Sequence, residues 1–131
     1  MELLLDTHAL IWFAEANAAL SAKAKFLIED PQNDKYVSMV SFYELAIKIK
    51  IGKISLNESL ESYFFKTISN GIAVLPLSEK HLFEYNNVPL MPNHKDPFDR
   101  LIIATAMHRD LSIITVDAHF TNYTNLVNII W

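Results

Sequence analysis

Asp96-Pro97-Phe98-Asp99-Arg100-Leu101-Ile102-Ile103-Ala104-Thr105-Ala106 is an apolar segment opened by two carboxylates, with a proline between them. Asp96 carries the side chain of an N-cap, and Pro97 has the fixed φ of a first helical position. Together they predict a helix to about Arg109 with Asp99 in its first turn. Ser112-Ile113-Ile114-Thr115-Val116 follows as a short β-branched run ending at Asp117, so the helix feeds a strand. The same alternation recurs upstream. Leu3-Leu4-Leu5 reads as a buried strand closed by Asp6-Thr7, followed by a helical pattern from His8 to Glu15. Ser21 caps a second helix that Pro31 stops near Asp30, and Tyr36 to Val40 reads as the second strand.

Between Ser41 and Gly52 the apolar set Leu45, Ile47, Ile49 and Ile51 alternates like a strand, but Ser41 and Glu44 have the spacing of a capping box, which favours helix. Asn57 is the expected cap of a helix ending near Gly71. Ile72 to Leu75 is a third strand, and Ser78 caps a short helix to Tyr85. A proline-bearing loop spans 87–95, and Leu126 to Ile130 is a fifth strand. Strands alternating with helices predict an α/β fold of three layers, with a central parallel sheet of four to five strands flanked by helices. Right-handed crossovers bring every strand's C-terminus to one edge, where such sheets bind ligands.

The 131 residues are expected to form a single domain, 1–131, large enough to bury a core. With 51% hydrophobic and 20% charged residues, disorder is excluded. The absence of cysteine removes disulfides, thiolate metal sites and a cysteine nucleophile, and suits a cytoplasmic location. Met1-Glu2-Leu3-Leu4-Leu5-Asp6 lacks the basic start of a signal peptide, and no apolar run is long enough for a bilayer, so no membrane role is expected. Only Gly52 and Gly71 are glycines, which excludes phosphate-cradling loops of the GxGxxG and P-loop types. The net charge of −4 is unusual for binding nucleic acid through a broad basic face, unless the negative charge is gathered in a site that cations neutralise.

The acids fall where that condition asks. Asp6 ends the first strand and Asp117 the fourth. Glu44 and Asp99 begin helices at the same edge of the expected sheet. Each has a structural alternative when read alone: Asp6 as a turn residue, Glu44 as the partner of Ser41, Asp99 as a dipole residue, Asp117 as the cap of Ala118-His119-Phe120. Converging, the four would repel one another, and a hard divalent ion such as Mg²⁺ or Mn²⁺ relieves that repulsion. Such a site suits phosphodiester hydrolysis.

Leu3-Leu4-Leu5-Asp6-Thr7-His8-Ala9-Leu10-Ile11-Trp12, Ser41-Phe42-Tyr43-Glu44-Leu45-Ala46, His94-Lys95-Asp96-Pro97-Phe98-Asp99-Arg100 and Thr115-Val116-Asp117 together resemble PIN domains, and more narrowly the VapC-type toxin ribonucleases of bacterial toxin–antitoxin pairs. The resemblance runs in order through essentially the whole chain. It implies catalytic and metal-binding roles for Asp6, Glu44, Asp99 and Asp117. It also implies accessory roles for Asp96 and for Thr115, a hydroxyl that supports the water of the site, with Thr7 and Arg100 as further supporting residues. It implies an endoribonuclease using one or two Mg²⁺ or Mn²⁺ ions, an RNA substrate, a homodimer, and a small antitoxin lying in the groove.

Two alternatives stand beside it: a PIN-like binding or scaffold protein without nuclease activity, and a phosphoacceptor module. The latter is disfavoured because Asp6 is followed by Thr7-His8 rather than by a second acid. Lys48, Lys50 and Lys53 are read as solvated helix charges in preference to RNA contacts, His94 and His108 as solvent-facing or capping residues, and Arg100 as a phosphate holder or an acid's partner. Trp12, Phe13, Phe64 and Phe65 are expected mainly in the core, with an exposed subset available to an antitoxin helix.

Overall fold

The computed structural model describes residues 1–131. Five parallel strands, β1 (Glu2–Leu5), β2 (Asp34–Ser38), β3 (Ile72–Leu75), β4 (Ser112–Ile114) and β5 (Ile129–Ile130), lie in the order β3-β2-β1-β4-β5. The chain winds outward from β1 to β3, then crosses back to place β4 on the other side of β1. The order therefore reverses between β1 and β4, and the crevice beyond their C-terminal ends is the switch point of the sheet.

Both faces of β1 are covered, so its side chains form an unbroken apolar run. Leu3 and Leu5 enter a core with Ala9 and Leu10 of α1 (Thr7–Ala14), Ala24 and Ile28 of α2 (Ala22–Glu29), and Phe42 and Leu45 of α3 (Met39–Lys50). Leu4 faces the other way, toward Ile102, Ile103 and Ala106 of α6 (Pro97–Arg109) and toward Phe120 and Tyr123 of the 3-10 helix Ala118–Tyr123. α4 (Leu60–Ser69) and α5 (Glu79–Tyr85) complete the two outer layers. The three-layer α/β expectation is met.

Several boundaries differ from the sequence reading. α3 is capped by Ser38, whose Oγ accepts from the Val40 amide, and not by Ser41. Met39 and Val40 suit a strand by propensity, but the β2–β3 ladder ends at Ser38↔Leu75 and the chain turns into the helix there. Ser41 and Glu44 therefore form no capping box. Glu44 lies in the second turn of α3, and the Ser41 Oγ is buried without a hydrogen-bond partner. The strand-like alternation along α3 has no structural counterpart: Leu45 is buried, while Ile49 and Ile51 are exposed. α4 is capped by Ser59, and Asn57 instead accepts the Tyr63 hydroxyl at 2.6 Å. β4 and β5 are shorter than expected, ending the ladder at Ile114↔Ile130. The capping box that does form joins Ser78 to His81 at the start of α5. No helix is long and apolar enough to cross a membrane.

Candidate metal centre

Asp6 is the first residue beyond β1. Its amide still donates to the Ile114 carbonyl, which carries the strand register into the site. As N-cap of α1 it accepts the Ala9 amide through Oδ1 at 2.7 Å, while Oδ2 accepts the Thr115 hydroxyl. Burial raises its pKa, and the charge of Asp117 adds to the rise; the hydrogen bonds from Thr115 and Ala9 oppose it. Thr115 also accepts the Asp117 amide at 3.1 Å, so a single hydroxyl ties the ends of β1 and β4 together. Thr115 thus orients the Asp6 carboxylate and holds the backbone that carries Asp117.

Glu44 reaches the same crevice from α3 and is buried. Oε1 accepts the Thr7 hydroxyl at 2.7 Å, and Oε2 pairs with Lys48 one turn on. Burial alone would lower the Lys48 pKa, but the bond to Glu44, with the charges of Asp96 and Asp99 behind it, raises it instead. Lys48 is thus an internal counter-cation of the acidic cluster and not a solvated charge. Lys50 and Lys53 are exposed.

Asp99 stands in the first turn of α6, as predicted, and Asp96 caps that helix by accepting the Phe98 and Asp99 amides. Burial pushes the Asp99 carboxyl up to about 6, with Asp96 and Glu44 adding to the rise against the bond from His94. Asp117 follows β4 at the same edge and accepts the His119 amide at 2.9 Å. The structure thus carries Asp6, Glu44, Asp99 and Asp117 to one end of the sheet, with Thr7 and Thr115 bonded to them.

Sequence reasoning also misplaced His94. It is buried, not solvent-facing. Its Nε2 lies 2.9 Å from Asp99 Oδ2 and its Nδ1 3.0 Å from the buried Tyr123 hydroxyl. With Asp99 ionised, Nε2–H donates to the carboxylate and Nδ1 is left to accept from Tyr123. Donor atoms of His94, Asp99 and Asp117 lie within 4.8 Å of one another, the tightest cluster of potential ligands in the chain. Pro92-Asn93 marks the Met91–His94 turn in the sequence, but nothing local shows that this turn folds the His94 ring back onto Asp99.

Arg100 does not face the acids. Its guanidinium donates to the Val88 and Pro89 carbonyls at 2.9 and 2.7 Å and to the Tyr85 hydroxyl at 3.2 Å, with the Tyr85 ring beside it. Neither expected role, phosphate holder or acid's partner, is the one it plays here: it anchors the loop that carries His94.

The carboxylate oxygens of Asp6, Glu44, Asp99 and Asp117 fit a hard divalent ion, while His94, with both ring nitrogens engaged, orients Asp99. Burial raises the Asp6 and Asp99 carboxyls, so a cation beside them would favour their ionised forms. The unpartnered Ser41 Oγ lies one turn before Glu44, a further polar atom on the helix that supplies a carboxylate.

The family profile described as PIN domain matches residues 3–126. The chain belongs to the PIN-domain family. The five-stranded parallel sheet flanked by helices is the PIN fold of this chain, as the resemblance implied. Among solved structures, this PIN domain is similar to VapBC-1 from nontypeable Haemophilus influenzae (19% identity, TM-score 0.70, covering 99% of this chain and 97% of that one). It is also similar to VapBC2 from Rickettsia felis, solved bound to a DNA fragment from the promoter of that pair (18% identity, TM-score 0.68, covering 99% and 98%). A toxin–antitoxin complex from Klebsiella pneumoniae matches at 20% identity with a TM-score of 0.62, covering 98% and 96%. No curated protein sequence matches the chain.

Proposed function

We propose that this PIN domain is a Mg²⁺- or Mn²⁺-dependent endoribonuclease and the toxin of a toxin–antitoxin pair. The observation that carries the reading is the convergence of Asp6, Glu44, Asp99 and Asp117 on the switch point of the sheet, with burial raising the carboxyls of Asp6 and Asp99. PIN domains are generally nucleases and typically bind divalent metals, which supports the class of reaction.

Asp99 and Asp117 would hold the ion, with Asp6 and Glu44 completing four carboxylates whose charge Lys48 offsets in part and one or two divalent ions would offset further. When bound, a divalent ion supplies Lewis-acid charge that lowers the pKa of water and stabilises the leaving oxygen of a phosphodiester. The chain's own residues do the positioning. Thr115 fixes the Asp6 carboxylate against the end of β4, and Thr7 fixes Glu44 against α1. His94 holds one Asp99 oxygen, so that the other is presented to the crevice.

Asp6 does not suit a phosphoacceptor. It is buried, and both its oxygens are occupied by hydrogen bonds from the chain.

An antitoxin partner is supported by the solved complexes of similar fold and by an apolar groove of about 540 Å³ between α3 and the start of α4. Ala46, Ile49, Ile54, Leu56 and Leu60 line it, which suits one apolar helix face. Phe65 is the aromatic left exposed nearby, whereas Trp12, Phe13 and Phe64 pack on the core. Homodimerisation fits the exposed Leu82 and Phe83 of α5, and the reading places the protein in the cytoplasm.

The deciding test is cleavage of single-stranded RNA with and without Mn²⁺, comparing wild type with Asp99→Asn. The reading expects cleavage only by wild type and only with the ion. Equal cleavage by both, or activity that survives EDTA, would overturn it, and no cleavage by wild type with the ion would leave a PIN-like binding or scaffold protein.

A further inference from the structure

Away from the acidic crevice, a cavity of about 350 Å³ opens between the first turn of α5 and the last turn of α6. Its lining includes Ser78, Lys80, His81, His108 and Arg109 and no carboxylate. Basic residues in a last helical turn ordinarily do no more than complement the helix dipole, which accounts for His108 and Arg109 taken alone. It does not account for Lys80 and His81, which come from another helix and line the same cavity.

The Ser78 amide donates to His81 Nδ1 at 3.3 Å in the capping box. Nδ1 is thereby the acceptor, and in the neutral ring the proton sits on Nε2, at the far side of the imidazole. Nε2 makes no hydrogen bond within the chain and is not sealed from solvent, although the residue as a whole is 5% exposed. A ring in this tautomer presents a donor, which suits an anion and not a metal ion. Burial lowers the His81 pKa, and the charges of His108 and Arg109 lower it further, against the nearby Glu79. The two histidine rings stand 5.7 Å apart. The Arg109 guanidinium lies over the Tyr36 ring, 5.1 Å from its centroid, which leaves its N–H edges available. Neither Lys80, His108 nor Arg109 forms an ion pair, while Glu79 is turned to the Ser78 hydroxyl. In a chain of net charge −4, positive charge without a partner is gathered around one concave surface.

We infer that this cavity is an anion site that takes a phosphate group, held by Arg109, Lys80 and the Nε2–H of His81, with His108 beside them. The phosphate belongs either to a free phosphate or nucleotide, or to the backbone of an RNA that extends past the acidic crevice. Only the second source rests on the nuclease reading.

The test follows the imidazole resonances of the metal-free protein by ¹H–¹⁵N NMR. One arm adds inorganic phosphate, with chloride at matched ionic strength as the control. The other adds a 2′-O-methylated RNA oligomer that cannot be cleaved. A saturable shift of the His81 and His108 signals with phosphate, weakened about tenfold or more in a His108→Gln/Arg109→Gln variant of unchanged circular dichroism, supports the site. If RNA moves the same signals, and the double variant reduces the salt dependence of RNA binding by about 0.7 per lost contact, the source is the RNA backbone. Movement with phosphate alone assigns the site to a free phosphate or nucleotide. No saturable shift with either probe, or shifts that persist unchanged in the double variant, would overturn the inference. Failure of the RNA cleavage assay leaves the phosphate arm standing.

Discussion

Replacing Asp99 with asparagine should make the metal-free protein more stable at neutral pH, although it removes a functional carboxylate. The Asp99 carboxyl is raised from 3.8 to about 6, chiefly by burial and further by Asp96 and Glu44. An acid whose folded pKa lies above its unfolded value binds its proton more tightly in the native state. Its ionisation therefore costs nothing below about pH 4, costs progressively more through pH 4–6, and costs the full amount above pH 6. At about 1.4 kcal/mol per pH unit, the displacement corresponds to about 3 kcal/mol against the ionised native state. The side chain is 21% exposed, and solvent screening brings the expected gain to about 1–3 kcal/mol. Asparagine keeps the shape and can still accept from His94 Nε2 through its amide oxygen, so the substitution isolates the charge. Urea denaturation in EDTA at pH 5 and pH 8 measures both terms. Wild type should lose stability between those values, and Asp99→Asn should lose less, with a residual slope from Asp6, which is raised in the same sense. Adding Mn²⁺ to about one hundred times its dissociation constant should then restore about 2.7 kcal/mol to wild type and much less to the variant. A variant no more stable than wild type at pH 8, with the same pH slope, would refute the account of a strained acidic cluster.

Three further substitutions separate the roles of neighbouring residues. Thr115→Val leaves Asp6 Oδ2 and the Asp117 amide without their shared hydroxyl; it should cost about 1–3 kcal/mol by denaturant titration and lower cleavage at saturating Mn²⁺. Arg100→Lys cannot reproduce the fork that holds the Val88 and Pro89 carbonyls; it should cost about 1–3 kcal/mol and increase hydrogen exchange in residues 86–95, an effect that a purely phosphate-binding arginine would not produce. Asp96→Ala removes the α6 cap and should cost about 1 kcal/mol while cleavage stays close to wild type, which distinguishes it from Asp99→Asn.

Much of this protein is written locally. The unbroken apolar run of β1, the Asp96-Pro97 start of α6 and the serine caps of α2 and α5 are decided by periodicity and first-turn chemistry, and all were legible. The alternation of strands and helices settled a parallel sheet, and through it the edge at which Asp6, Glu44, Asp99 and Asp117 would meet. What was not legible depends on contacts between distant segments. Ser38 caps α3 in place of Ser41 because the ladder with β3 ends there, which no spacing within residues 38–44 reveals. Lys48 pairs with Glu44 one turn away on its own helix, but the charges of Asp96 and Asp99 reach it only once α3 and α6 pack together. His94 and Arg100 exchanged their expected characters, the histidine buried against Asp99 and the arginine turned to the backbone of the loop before α6. A sequence names the groups that carry charge. Which of them lose water, and so shift their pKa or take a partner, is decided only when the sheet and its two helical layers close around them.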